Sequence, residues 1–195
     1  MSDTSLSLLE RLRADSDSAA WQRLVALYSP LLERWIARYD SLQPADVDDL
    51  LQEVLVTLAR ELPGFEHNGR PGAFRSWLKA ILLHRLRAFW RTRANHPGGI
   101  GGSDLPRQLD ELADDHSSAS RRWDAEHDRH VVLRLLDRVQ PRFAAGTWRA
   151  FHRQMIEGAD ALHVAAELHM PLHSVYAAKS RVLAALRQEA RGLVG

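Results

Sequence analysis

DVDDLLQEVLVTLAREL (residues 46–62), PGFEHNGRPG (63–72) and AFRSWLKAILLHRLRAFWRTR (73–93) follow one another without a break. In the first segment Val47, Leu50, Leu51, Val54, Leu55 and Leu58 recur at helical spacing, opened by Gln43 and Pro44 and stopped by Pro63-Gly64. Gly69, Pro71 and Gly72 predict a tight loop, and a second helix is expected from about Ala73 to Asn95. The two helices differ in charge. Six acidic residues stand against Arg60 between Asp40 and Glu61, whereas seven basic residues stand against Glu66 between Phe65 and Asn95.

Working outward, Leu6 to Leu12 predicts a short helix, and Asp17 or Ser18 can cap the next, where Trp21, Leu24, Val25, Tyr28, Leu31, Leu32, Trp35 and Ile36 form a stripe. Pro30 predicts a kink or a fresh start in its middle. From His96 to about Ser120 the texture turns glycine-rich (PGGIGGSD) and then acidic (DELADDHSSAS), which reads as a flexible linker. Helical periodicity resumes from about Arg121 to Val139. It continues through TWRAFHRQMIE, capped by Thr147 and closed at Gly158, and through ALHVAAELH, capped by Asp160. The last helix, LHSVYAAKSRVLAALRQEAR, runs to Gly192. No strand-like alternation appears. The expectation is an all-α chain: a helical domain over 1–95, a linker over 96–120 and a second helical domain over 121–195.

The apolar fraction of 45% fills cores of ordinary size. With 26 basic and 25 acidic residues the overall charge is uninformative; its segregation is the signal. The absence of cysteine excludes disulfides and thiolate metal sites and fits a reducing compartment. Arg11, Arg13, Asp15 and Asp17 interrupt any N-terminal leader, and no apolar run reaches membrane length, so a cytoplasmic protein is expected with no membrane contact. The sequence offers no Gly-rich phosphate loop and no nucleophile constellation, which argues against an enzyme, and no cofactor is expected.

On a wheel of residues 73–95, Phe74, Trp77, Leu78, Ile81, Leu82 and Phe89 share one side, and Arg75, Lys79, Arg87, Arg91 and Arg93 gather on another. Such a field suits phosphates; the bland reading is a solvated helix surface. Phe74, Trp77 and Phe89 read as packing, and Trp90 as the exposed ring able to stack on a base. Arg85, on the apolar side, calls for a carboxylate from the acidic helix or a stem that reaches outward. For Asp46, Asp48 and Asp49 the bland role is to complement a helix N-terminus.

Asp160 to Arg187 has helix-turn-helix proportions. Ala161, Leu162, Ala165 and Leu168 are expected to pack against Val175, Val182, Leu183 and Leu186. Ser174, Tyr176, Ala177, Lys179, Ser180 and Arg181 are left for a DNA groove. His152, His163, His169 and His173 lack the spacing and companion acid of a metal motif, so no metal is expected.

Together these segments resemble, in order, a bacterial RNA polymerase sigma factor of the extracytoplasmic-function (ECF) type, in the sigma-70 family. DVDDLLQEVLVTLAREL resembles the family's region two helix that binds the clamp of the polymerase largest subunit. PGAFRSWLKAILLHRLRAFWR is similar to the part that opens and reads the −10 element. HVAAELHMPLHSVYAAKSRVLAALR resembles the region-four helix-turn-helix that reads the −35 element, and WDAEHDRHVVLRLLDRV with TWRAFHRQMIEG resembles the helices leading into it. The resemblance implies polymerase docking through Asp46, Asp49, Gln52 and Glu53. It implies −10 DNA binding through Arg70, Arg75, Lys79, His84, Arg87, Trp90 and Arg91, with the Phe65 to Gly72 loop around a flipped base of the single-stranded non-template strand. The −35 duplex falls to Ser174, Tyr176, Ala177, Lys179, Ser180 and Arg181. The family also admits an anti-sigma factor as partner. Three positions depart from its pattern: His84 stands where asparagine is common, Ala88 where aspartate or asparagine is, and His169 at a turn position often held by glycine. Histidine tolerates a left-handed backbone better than most residues.

Two other classes compete: a helix-turn-helix regulator that binds duplex DNA without polymerase, and a sigma-like adaptor that sequesters a protein inhibitor. Neither the acidic helix nor the 65–72 loop has a role in the first.

Overall fold

The computed structural model describes residues 8, 9, 12, 18–66, 70, 72–94, 104–191 and 193. Among them are eight α-helices of seven residues or more and no strand: α1 Ser18–Ile36, α2 Pro44–Glu61, α3 Ala73–Ala94, α4 Leu105–Ala113, α5 Ser118–Val139, α6 Ala145–Met155, α7 Ala161–Glu167 and α8 Leu172–Ala190. The chain is therefore all-α. It divides into two compact units, Met1–Val131 with Gly192–Gly195, and Val132–Arg191. The boundary falls inside α5 and not in the tract expected to be a linker.

In the first unit α1 packs on α2, α2 on α3 and α3 on α4. The core is built from stripes at the helical repeat: Leu24, Tyr28, Leu31, Leu32 and Ile36 of α1; Leu50, Val54 and Leu58 of α2; Phe74, Leu78, Leu82 and Leu86 of α3. Leu8, Leu9 and Leu12 are helical and buried, and the rest of that expected helix lies outside the described residues. Pro30 neither ends α1 nor restarts it, because apolar side chains on both sides of it are buried and the lost hydrogen bond is offset by that packing. Tyr28 meets Phe74 with ring centroids 5.4 Å apart, and Phe65 covers Trp77 at 4.7 Å.

Two elements beyond α3 complete this unit. Helix α4 lies within the tract expected to be flexible, and its Leu105, Leu109 and Leu112 are buried. The glycine-rich part of that tract, 97–103, lies outside the described residues. The first half of α5 adds Trp123, His127 and Val131, all fully buried at a four-residue spacing. Trp123 meets Trp35 edge-on at 5.1 Å. His130 bonds the Leu27 carbonyl through Nε2 at 2.6 Å, which leaves Nδ1 to accept from Arg34 at 3.3 Å. Arg38 grips both oxygens of Glu126 at 2.6 and 2.8 Å. Burial alone raises a carboxyl's pKa, but Arg38 and Arg122 outweigh it and hold Glu126 below the ordinary range.

In the second unit, Ala150, Val164, Val175 and Ala178 form one buried cluster, with Ala161, Ala165, Leu168 and Met170 packed around it. Val139, Phe151 and Val182 form another, flanked by Leu183 and Leu186. Leu162, expected in this core, is 68% exposed. In a seven-residue helix only one narrow face meets its neighbours, and Val164 holds it. Asp160 caps α7 as expected, accepting from the Leu162 and His163 amides, each at 3.0 Å. Thr147 does not cap α6, because that helix starts two residues earlier, at Ala145. The turn into α8 runs through His169 at φ +50°, the left-handed conformation expected of it.

Candidate polymerase and nucleic-acid interfaces

The α2 helix turns one face to the core and the other to solvent. Asp48, Asp49, Gln52 and Glu53 are exposed, followed by Val56, which is 65% exposed. An exposed apolar side chain one turn from a carboxylate and an amide is a mixed surface of the kind partners cover. Neither Asp48 nor Val56 was among the expected docking residues; the signal was available, since Val56 falls outside the apolar stripe at helical spacing. Asp46 differs from its neighbours. It accepts from the Gln43 amide at 2.8 Å and pairs with Arg93 at 2.7 Å. The Gln43 bond chiefly, and Arg93 after it, hold its carboxyl below the ordinary range. Asp46 thus closes the first turn of α2 and ties it to the end of α3.

The α3 cations do not share one surface. His84 and Arg91 are exposed, as is Arg70 in the loop before α3. Arg87 pairs with Asp110 at 2.7 Å. Lys79 is buried, its Nζ 2.7 Å from Asp115 and 2.6 Å from Ser120 Oγ. Arg75 donates through Nη1 to both oxygens of Asp128 at 2.6 Å. Its Nε lies 2.8 Å from Asp124, an ionic contact whose angle misses a hydrogen bond. Arg75 and Lys79 were expected on an open face; a wheel of one helix does not show carboxylates that arrive 36 to 53 residues later. Trp90 is half-buried with its indole nitrogen enclosed, and Arg93 stands over its ring at 5.9 Å, so it is not the exposed ring expected. Arg85 is half-buried, and its Nε has no hydrogen-bond partner, which leaves the second of its two expected arrangements, a stem that reaches outward. Part of the 65–72 loop, residues 67–69 and 71, lies outside the described residues. Its flanks are Phe65, buried, and Gly72 at φ +76°.

A family profile described as Sigma-70 region 2 matches residues 24–96, which hold most of α1 and all of α2 and α3. Over these residues the chain is similar to the sigma-70 family. It is also similar to the ECF RNA polymerase sigma factor SigF of Caulobacter vibrioides, 30% identical over 91 residues, 47% of this chain and 49% of that protein. The chain spans about half the length of this curated relative. Within region 2, the two departures from the family pattern are both on α3: His84 is exposed and Ala88 half-buried. Helices α4 and α5 and the turn between them, which supply the carboxylates facing Arg75, Lys79 and Arg87, lie beyond the matched residues.

The second unit exposes Tyr176, Ala177, Ser180 and Arg181 along one side of α8, with Ser174 and Lys179 half-buried beside them. All six expected groove residues therefore lie on the side of α8 away from Val175, Ala178 and Val182, or at its border. Gln154 fixes α8 against α6 by donating to the Val175 and Ala150 carbonyls at 3.1 and 2.9 Å. Among the described residues no group of three metal-ligating side chains is gathered, and no helix is long and apolar enough to cross a membrane.

Proposed function

We propose that the chain is an alternative sigma factor that binds core RNA polymerase in the cytoplasm and directs promoter-specific initiation, with no catalysis of its own. The observation that carries this reading is the region 2 match over residues 24–96, whose middle helix presents Asp49, Gln52, Glu53 and Val56 to solvent. In this reading α2 docks on the clamp of the largest subunit, and Asp46 shapes that surface by capping the helix. The loop from Phe65 to Gly72 and α3 engage the −10 element through Arg70, Arg75, Lys79, His84, Arg87, Trp90 and Arg91. Capture of an extruded base offsets unstacking, which costs a few kcal/mol. Ser174, Tyr176, Ala177, Lys179, Ser180 and Arg181 on α8 read the −35 duplex, with the two cations positioned for phosphates. An anti-sigma factor would compete for the same surfaces.

The exposed side of α8 would equally serve a regulator that needs no polymerase, so docking is the discriminating property. Asp49→Lys with Glu53→Lys is expected to abolish co-purification with core polymerase while helicity stays unchanged. Undiminished co-purification would overturn the α2 assignment.

A further inference from the structure

We infer that the acidic segment 110–128 is an intramolecular occupant of the basic face of α3, and that it must be displaced before Arg75, Lys79 and Arg87 can reach nucleic acid. The inference rests on the reading of α3 as a promoter-binding helix.

The match between the two surfaces is specific. Three cations along α3 each meet a carboxylate: Arg87 with Asp110, Lys79 with Asp115, and Arg75 with Asp124 and Asp128. Between Asp104 and Asp128 eight acidic residues stand against three basic ones, so the segment carries the charge sign of a phosphate backbone. It is also anchored, because Leu105, Leu109 and Leu112 are buried next to it. The Lys79 side chain is 6% exposed while that of Asp115 is 80% exposed. The lysine lies under the cover, and its partner stays in water. Gly72 leaves room for the Arg75 guanidinium, since a Cβ there would fall 2.6 Å from Nη2. Arg75 is thereby held toward α5.

Each cation is neutralised by a carboxylate in place of the phosphate it would meet on DNA, and the surplus acids repel a second polyanion. The closed form therefore withholds three of the proposed −10 contacts, Arg75, Lys79 and Arg87, while His84 and Arg91 stay exposed. Binding DNA through the covered face requires the ion pairs to exchange partners.

The test uses the full chain carrying Asp115→Asn, Asp124→Asn and Asp128→Asn. Lys79 and Lys179 are its two lysines, so acylation by an amine-reactive ester, read by mass spectrometry, reports exposure of Lys79 against an internal reference. Affinity for a fluorescein-labelled mixed-sequence single strand is measured by anisotropy across a salt series. Acylation of Lys79 relative to Lys179 is expected to rise. Affinity is also expected to rise, with a salt slope steeper by about 1.4 for two freed cations, Lys79 and Arg75, at ~0.7 each. A control with Glu33→Gln, Asp40→Asn and Asp137→Asn removes the same charge at exposed sites and is expected to do neither. Unchanged acylation overturns the cover. Raised acylation without raised affinity overturns the nucleic-acid reading of this face, while polymerase co-purification still reports on α2 separately. An equal gain in the control also refutes the inference. Should the triple variant not fold, Asp115→Asn alone, at a solvent-facing carboxylate, gives the same acylation reading.

Discussion

Leu109→Ala is the perturbation most sensitive to whether residues 105–113 are an ordered part of the first unit. Helix α4 has nine residues, fewer than the roughly 12–15 that an isolated helix needs to be even marginal in water. Its order must come from docking Leu105, Leu109 and Leu112, of which Leu109 is the central one at 2% exposure. Truncating a buried leucine costs about 2–5 kcal/mol, the lost transfer free energy plus the cavity left behind. At 1.4 kcal/mol per decade that shifts a docking equilibrium by at least ~25-fold. The loss falls mainly on α4, because the α1–α3 stripes do not depend on Leu109. Hydrogen–deuterium exchange with mass spectrometry on peptides covering 105–113 is the assay. Protected amides there are expected to exchange at least ~25-fold faster in the variant, with peptides from α1 and α2 little changed. Exchange at the unprotected rate in the parent protein, or no acceleration in the variant, would refute the reasoning.

Three further outcomes follow from the geometry. Asp160→Ala removes the side-chain acceptor for two amides of α7 and is expected to cost about 1 kcal/mol, seen as roughly fivefold faster exchange in Ala161–Glu167, with Asp160→Asn close to the parent. His127 is held below its ordinary pKa of 6.5, chiefly by burial, against the opposing pull of Asp128. The unfolded chain therefore binds the extra proton as pH drops through about 6.5, and stability falls with it; His127→Gln should flatten that loss when urea midpoints at pH 7.5 and 5.5 are compared. Gly158 adopts φ +72° with open space around its Cα, so Gly158→Ala should cost about 1–2 kcal/mol by backbone strain alone, visible in the urea midpoint of the second unit.

Much of this architecture is legible from local chemistry. Pro44 and Pro63-Gly64 bracket α2, Asp160 caps α7, and His169 takes the left-handed turn, because each acts through its own backbone. Helix α4 is obscured for the opposite reason. Its three leucines sit in an acidic tract after a run of glycines, and their value depends on packing against α3, which the tract itself does not contain. The same limit governs α3. Its periodicity correctly buries Phe74, Leu78, Ile81 and Leu82, but Lys79 is buried too, under carboxylates that a wheel of residues 73–95 does not contain. Trp90 fails similarly: a helix packed on several sides has no single wet face from which to read exposure. On α2 one side stays open, and the exposure of Asp49, Gln52 and Glu53 follows from spacing alone.

The central claim is tested most directly by run-off transcription from a promoter library with purified core RNA polymerase, with and without the full chain. The account predicts transcripts from a defined subset of promoters only when the chain is present, and none when Asp49→Lys with Glu53→Lys replaces it. Binding of the chain to duplex DNA with no chain-dependent transcript from any promoter would contradict it.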